Sequence, residues 1–119
     1  MATITGFRIA DIRFPTSRSL DGSDAMNKDP DYSAAYLILD TDTGMSGHGF
    51  SFTLGRGTEL QCATIELLAP KVVGLKVEEL KSQLGHIARD LVSDSQIRWL
   101  GPEKGLTHMA VGEIGRAHV

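Results

Sequence analysis

The 119-residue sequence predicts an α+β fold, and three observations predict it. Apolar residues alternate with a period of two in three successive segments of the first half. After "LGRG" the period lengthens to about 3.6. Turn-forming residues mark each junction. Strands that all precede the helices give an antiparallel meander with a helical bundle beside it, one domain rather than two.

Ile4, Phe7, Ile9, Ile12 and Phe14 give the first strand, with an irregularity near Gly6, and Pro15 ends it. A polar loop from Thr16 to Asp31 follows, carrying "DGSD" and "DP", both turn chemistry. "YSAAYLILD" predicts a second strand over Tyr32 to Thr41. Asp42, Thr43 and Gly44 form a hairpin turn into a third strand, Met45 to Thr53.

"GTELQCATIELLAP" predicts a helix, with Thr58 and Gln61 as a capping box and Leu60, Thr64, Leu67 and Leu68 as its apolar face; Pro70 closes it. Val77 to Val92 reads as one further helix with a stripe at Leu80, Leu84, Ile87, Ala88 and Leu91, and with Glu78 and Glu79 suited to its positive end. Pro102 is placed to open a last helix through Leu106, Met109 and Val111. Glu113 to Val119 departs from that stripe with two glycines and matches the translation of a common sequencing adapter. The domain is therefore expected over 1–112, truncated in its last helix, with 113–119 a non-native tail. No function is assigned to Arg116 or His118.

Composition narrows the function classes. Hydrophobic content of 41%, charged content of 23% and a formal charge of −3 describe an ordinary globular chain without a basic field, so nucleic-acid and anionic-membrane partners are not expected. Cys62 stands alone, which rules out an internal disulfide and favours a reducing, cytoplasmic setting. "MATITGFRIADIRF" lacks the basic leader and unbroken apolar segment of a signal peptide, and no window approaches the ~20 apolar residues of a membrane helix.

Candidate chemistry is sparse. His48, His86, His108 and His118 share no metal-ligand spacing, and one cysteine supplies no soft ligand set. His48 reads as a hydrogen-bonded, half-buried side chain and His86 as solvated. Cys62 reads as a structural thiol. "GRGTE" lacks the lysine of a phosphate loop, and its Glu59 would repel phosphate, so it is a strand-to-helix turn that presents Arg56 toward a partner domain. The polar loop leaves two uses open. It is either a solvated connector or a polyol-binding loop, in which Gly22 allows close backbone approach while Ser23, Asp24 and Tyr32 supply the donors and acceptors that sugar hydroxyls need.

Taken together, "IADIRFPTS", "DGSDAMNKDPDYSAAYLILDTD", "GHGFSFTLGRGTE" and "IRWLGPEKGLTHMA" resemble the N-terminal segment of the L-fuconate dehydratases of the enolase superfamily, over Ile4 to about Gly112. "GSDAM…DPDYSAAY" and "RWLGPEKG" are its most specific pieces. The resemblance implies an α+β capping domain over the mouth of a modified (β/α) barrel that is absent from this chain. It implies removal of the proton next to the carboxylate of L-fuconate, with Mg²⁺ taking the developing charge, and loss of water to give 2-keto-3-deoxy-L-fuconate. It also implies that the long loop reaches over the barrel mouth, so substrate contacts are carried onto Gly22, Ser23, Asp24 and Tyr32. Implied partners are the small-molecule acid sugar, the chain's own C-terminal barrel and a second copy in a homo-oligomer. The metal ligands and the catalytic bases would all lie beyond Gly112, so no catalytic or metal-binding residue is assigned here. Another acid-sugar dehydratase or racemase of the superfamily, and a non-catalytic α+β binding or oligomerisation module, are the competing readings.

Overall fold

A computed structural model describes residues 2–20, 22–23, 26, 28–100 and 105–117. Three strands, β1 (Ile4–Arg13), β2 (Ser33–Thr41) and β3 (Ser46–Thr53), form one antiparallel sheet in the order β1-β2-β3. Four helices follow: α1 (Thr58–Leu68), α2 (Val77–Ser82), α3 (Leu84–Val92) and α4 (Leu106–Ala117). The α+β meander with helices after it is as the sequence predicts. The irregularity near Gly6 is a register shift between Ile4 and Gly6. Among the described residues no helix is long and apolar enough to cross a membrane.

Period-two alternation divides the sheet into two unlike faces. On β2, Ser33, Ala35, Leu37 and Leu39 are buried while the residues between them are half-exposed. Leu37 lies opposite Ile9 on one side and Gly49 on the other. These inward residues pack against Ile65, Leu68 and Val72 from the α1 region and against Ala110, Ile114 and Ala117 of α4. The start of β1 is tied into the same layer. Ile4 donates its N–H to Leu75 O at 2.9 Å, and Gly74, at φ +93°, donates to Ile4 O at 2.7 Å.

The helices differ from expectation in their faces and ends. Thr58 and Gln61 form no capping box. Gly57, at φ +98°, is the N-cap, and the Thr58 hydroxyl turns back to Gly55 O (2.6 Å) and Thr53 Oγ1 (2.8 Å). That tie rotates α1 so that Thr58, Gln61, Thr64, Ile65 and Leu68 are buried, whereas Leu60 and Leu67 are 56% and 55% exposed. The segment from Val77 to Val92 is two helices, broken at Gln83 (φ −123°, ψ 25°), where the Ser82 hydroxyl donates to Glu79 O at 3.2 Å. Leu80 and Leu91 are buried and Leu84 is exposed. In α4 the buried stripe is Thr107, Ala110, Glu113, Ile114 and Ala117, and Met109 lies outward. Pro102 and His118 lie outside the described residues. His48 is exposed rather than half-buried, because it sits on the uncovered sheet face; its Nδ1 lies 2.7 Å from the Tyr36 hydroxyl.

The last helix takes in residues 113–117, and Ile114 and Ala117 join the buried core. A Cβ at Gly47 would lie 1.5 Å from Ala117 O, so only glycine tolerates that contact. Glu113 is 2% exposed, accepts a hydrogen bond from Ser51 Oγ at 3.0 Å, and leaves Oε1 without a partner. Burial pushes its carboxyl from 4.5 up to about 8, against the smaller opposing effect of Ser51. A raised carboxyl pKa means the folded state binds the proton more tightly than the unfolded one, so its stabilising effect is complete below 4.5 and is lost as pH rises toward about 8. For this chain, unfolding midpoints in urea should fall between those two pH values, and Glu113→Gln should flatten the slope. An equally steep slope in Glu113→Gln would assign it to another group.

A candidate substrate-facing cleft between two loops

The two longest connections at the β2 entrance lie at the same end of the sheet, because antiparallel order places the β1–β2 loop beside the exit of β3. The loop from Phe14 to Tyr32 is closed at its base by a short ladder. Phe14 N–H donates to Tyr32 O (2.9 Å), the Thr16 hydroxyl donates to Pro30 O (2.8 Å), and Tyr32 N–H donates to Thr16 Oγ1 (2.9 Å). Asp31 then fastens it to the segment 54–57. Its N–H donates to Leu54 O at 3.0 Å, and its carboxylate accepts from Ser17 N–H at 3.0 Å. Hydrogen bonds from Ser17, its hydroxyl foremost and its backbone N–H next, hold the Asp31 carboxyl below the usual range. Gly55, at φ +117°, approaches so closely that an added Cβ would lie 3.1 Å from Asp31 Cβ.

Between the two loops opens a cleft of about 290 Å³, lined by Ser17, Lys28, Asp29, Asp31, Leu54 and Arg56 among others. Its charges are mixed: Lys28 and Arg56 line it together with Asp29 and Asp31. Neither Lys28 nor Arg56 makes an ion pair among the described residues. Arg56 is exposed and held between two glycines with positive φ, Gly55 and Gly57, so its backbone is committed to a shape that other residues adopt only with strain. Farther back, Arg13 bonds Asp11 (2.8 and 3.0 Å) and Glu59 (2.5 Å), which links the end of β1 to the start of α1. The Glu59 carboxyl is held low by its own amide first and Arg13 next.

Of the residues singled out in the sequence, Gly22 and Tyr32 meet directly. The Tyr32 hydroxyl donates to Gly22 O at 2.8 Å, and a Cβ at Gly22 would lie 1.6 Å from that hydroxyl. The Tyr32 ring also rests on Phe52, with centroids 5.4 Å apart. The Ser23 hydroxyl turns back to Leu20 O at 2.7 Å. Asp24 lies outside the described residues. Gly22, Ser23 and Tyr32 shape the loop, whereas the described lining of the cleft comes from elsewhere. Arg56 was legible from the paired glycines. Ser17 and Asp31 carry no signal beyond turn chemistry, since their roles depend on contacts across the chain.

Cys62 is half-buried, and burial foremost pushes its thiol up, away from nucleophilic reactivity. No three His, Cys, Asp or Glu side chains come together as a metal site among the described residues.

No family model matches the sequence. The chain is 54% identical over 115 residues to the L-galactonate dehydratase of Hypocrea jecorina, covering 97% of this chain and 26% of that protein. It superposes on human mitochondrial enolase superfamily member 1 with a TM-score of 0.90 and 42% identity, over 95% of this chain and 26% of the other. The fold is that of the enolase-superfamily N-terminal capping domain. L-talarate dehydratase from Polaromonas sp. JS666, solved with Mg and L-glucarate, shares that fold at a TM-score of 0.70 and 22% identity, over 99% of this chain and 28% of the other. The chain spans about a quarter of the length of these relatives.

If the Tyr32 hydroxyl closes the loop, Tyr32→Phe should cost about 0.5–1.5 kcal/mol, one hydrogen bond's net worth. The cost should appear locally, as faster proteolytic nicking between residues 17 and 29, with the global urea midpoint nearly unmoved. Unchanged nicking would show that the Gly22 contact does not hold the loop.

Proposed function

We propose that this chain is the substrate-covering cap of an enolase-superfamily acid-sugar dehydratase, with L-fuconate as substrate. The observation that supports it most is the cleft: two loops tied together through Asp31, lined by polar groups of both charges and open along one side. A hydroxylated acid needs donors, acceptors and a cation at once, and such a surface offers all three. An open shelf of this size needs a second wall to exclude water, which the remaining three-quarters of a full-length relative is well placed to supply.

In this reading the chain's own residues bind and orient. Arg56 and Lys28 face anionic or hydroxyl oxygens, and Asp24 accepts from sugar hydroxyls. Gly22 and Tyr32 hold the loop tip in shape, and Ser23 supports it through Leu20. Proton abstraction, and the Mg²⁺ that relatives' chemistry calls for, belong to the barrel. We place no metal ligand or catalytic base within residues 1–112. Residues 113–119 are read as foreign to the native protein on their sequence alone.

A second substrate, L-galactonate, is favoured by one observation, the 54% identity to a protein of that name. The two acids differ at the distal carbon, where the cap would touch them. Assay of the complete gene product against a panel of acid sugars decides between them, and the highest kcat/KM should fall on L-fuconate. Preference for L-galactonate would replace the substrate and keep the cap. Absence of turnover on every acid sugar, or a native stop codon shortly after Gly112, would favour a non-catalytic module. In the active enzyme, Asp24→Ala should lower kcat/KM by about 1–3 kcal/mol of transition-state stabilisation. An unchanged value would remove Asp24 from the site.

A further inference from the structure

The cleft is mostly polar, yet two exposed apolar side chains line it, one from each loop. Leu54, at the exit of β3, is 41% exposed, and Met26, from the β1–β2 loop, is 91% exposed. Neither belongs to the hydrophobic core. A lone exposed apolar side chain needs no explanation, but two that share one polar cleft do. Leu54 is held in place by its backbone. Its carbonyl accepts from Asp31 N–H at 3.0 Å, and Gly55, at φ +117°, closes on Asp31 directly after it. Around these two side chains, Ser17, Lys28, Asp29, Asp31 and Arg56 offer donors, acceptors and charge.

We propose that Leu54, with Met26 from the other loop, determines specificity at the far end of the substrate. It takes the methyl end of a 6-deoxy sugar acid and disfavours the same acid ending in a hydroxymethyl group. The inference rests on the capping-domain reading and deepens it. In that reading the carboxylate and its neighbouring carbon react at the barrel, so the far end is what the cap meets. L-Fuconate and L-galactonate share every stereocentre and differ only at the last carbon, a methyl in one and a hydroxymethyl in the other. An acid hydroxylated at every carbon has no use for an apolar patch at that end. A methyl group does, because it leaves water for Leu54 and Met26 without giving up a hydrogen bond. A hydroxymethyl group at the same place loses its hydration to side chains that offer no donor and no strong acceptor. Asp31, bonded through its N–H to Leu54, already has its carboxylate engaged by Ser17.

The test is steady-state kinetics of the full-length enzyme on the two acids, read as the ratio of their kcat/KM values. The native ratio should favour the methyl-ended acid by about 10- to 100-fold, the range an apolar contact gives against an added hydroxyl. Leu54→Asn, similar in size but able to bond that hydroxyl, should cut the ratio roughly tenfold or more. Leu54→Met, which stays apolar, should keep it. If Leu54→Asn does not fold, Met26→Gln, at an exposed position, carries the same expectation. Native preference for the hydroxymethyl acid would overturn the proposal. So would a folded Leu54→Asn enzyme with an unmoved ratio, or a Leu54→Met enzyme that loses the preference as fully as Leu54→Asn. Each of those results leaves the dehydratase reading standing, since acid sugars are still turned over. No turnover of either acid by the native enzyme would instead remove that reading, and this inference with it.

Discussion

A three-stranded sheet buried on one face only is the constraint from which the rest of this structure follows. Ala35, Leu37 and Leu39 on the central strand offer a single apolar surface, and the helices all dock there. Because the helical layer is on that side, the β1–β2 loop cannot cross the core. It must stand at the strand ends, next to the exit of β3. The neighbouring segment 54–57 is then forced into a tight strand-to-helix reversal, which glycines at 55 and 57 permit. A solvent-accessible cleft between two loops, and a bare outer face, are consequences of the same one-sided burial.

The strands were legible in the sequence because period-two alternation survives whatever packs on it. β2 alternates cleanly from Ser33 to Asp40 since one face meets helices and the other meets none. The helices were legible in existence but not in phase. A stripe drawn through Leu60 and Leu67 is as plausible by spacing as one through Gln61, Ile65 and Leu68. What chooses between them is the Thr58 hydroxyl, bonded to Gly55 and Thr53 across the junction. Those bonds reach back three and five residues across the strand-to-helix turn, so they depend on the turn's geometry, which helical spacing does not encode. The break at Gln83 escaped for a similar reason: the stripe through Leu80, Ile87 and Leu91 continues across it. In the candidate site, Gly22 and Tyr32 announced themselves by residue type, while Ser17 and Asp31 did so only once the chain had folded Leu54 against them.

The hydrogen-bond economy of the long loop separates residues that hold shape from residues left to bind. The Tyr32 and Ser23 hydroxyls donate to backbone carbonyls within the loop. The Asp31 carboxylate is engaged by Ser17. Lys28 and Arg56 keep their donors unengaged by ion pairs among the described residues, and they face the cleft. A loop built only to connect strands would have no use for that division. In the proposed reading, that division leaves donors preorganised for an anionic, hydroxylated ligand, and preorganised donors lose little entropy on binding.

The two uncovered surfaces differ in chemistry. The cleft is polar and of mixed charge, a surface that stays hydrated until a matching polar ligand and a closing wall displace the water together. The outer sheet face is aromatic and neutral overall, a surface that gains from burial against any complementary apolar plane. Glu113 adds a contrast from inside the core. There a carboxyl is buried with one oxygen unpartnered and its pKa raised to about 8, an arrangement that satisfies neither logic. Elsewhere in the domain, carboxylates at Asp31, Asp40 and Glu59 each find donors that hold them ionised.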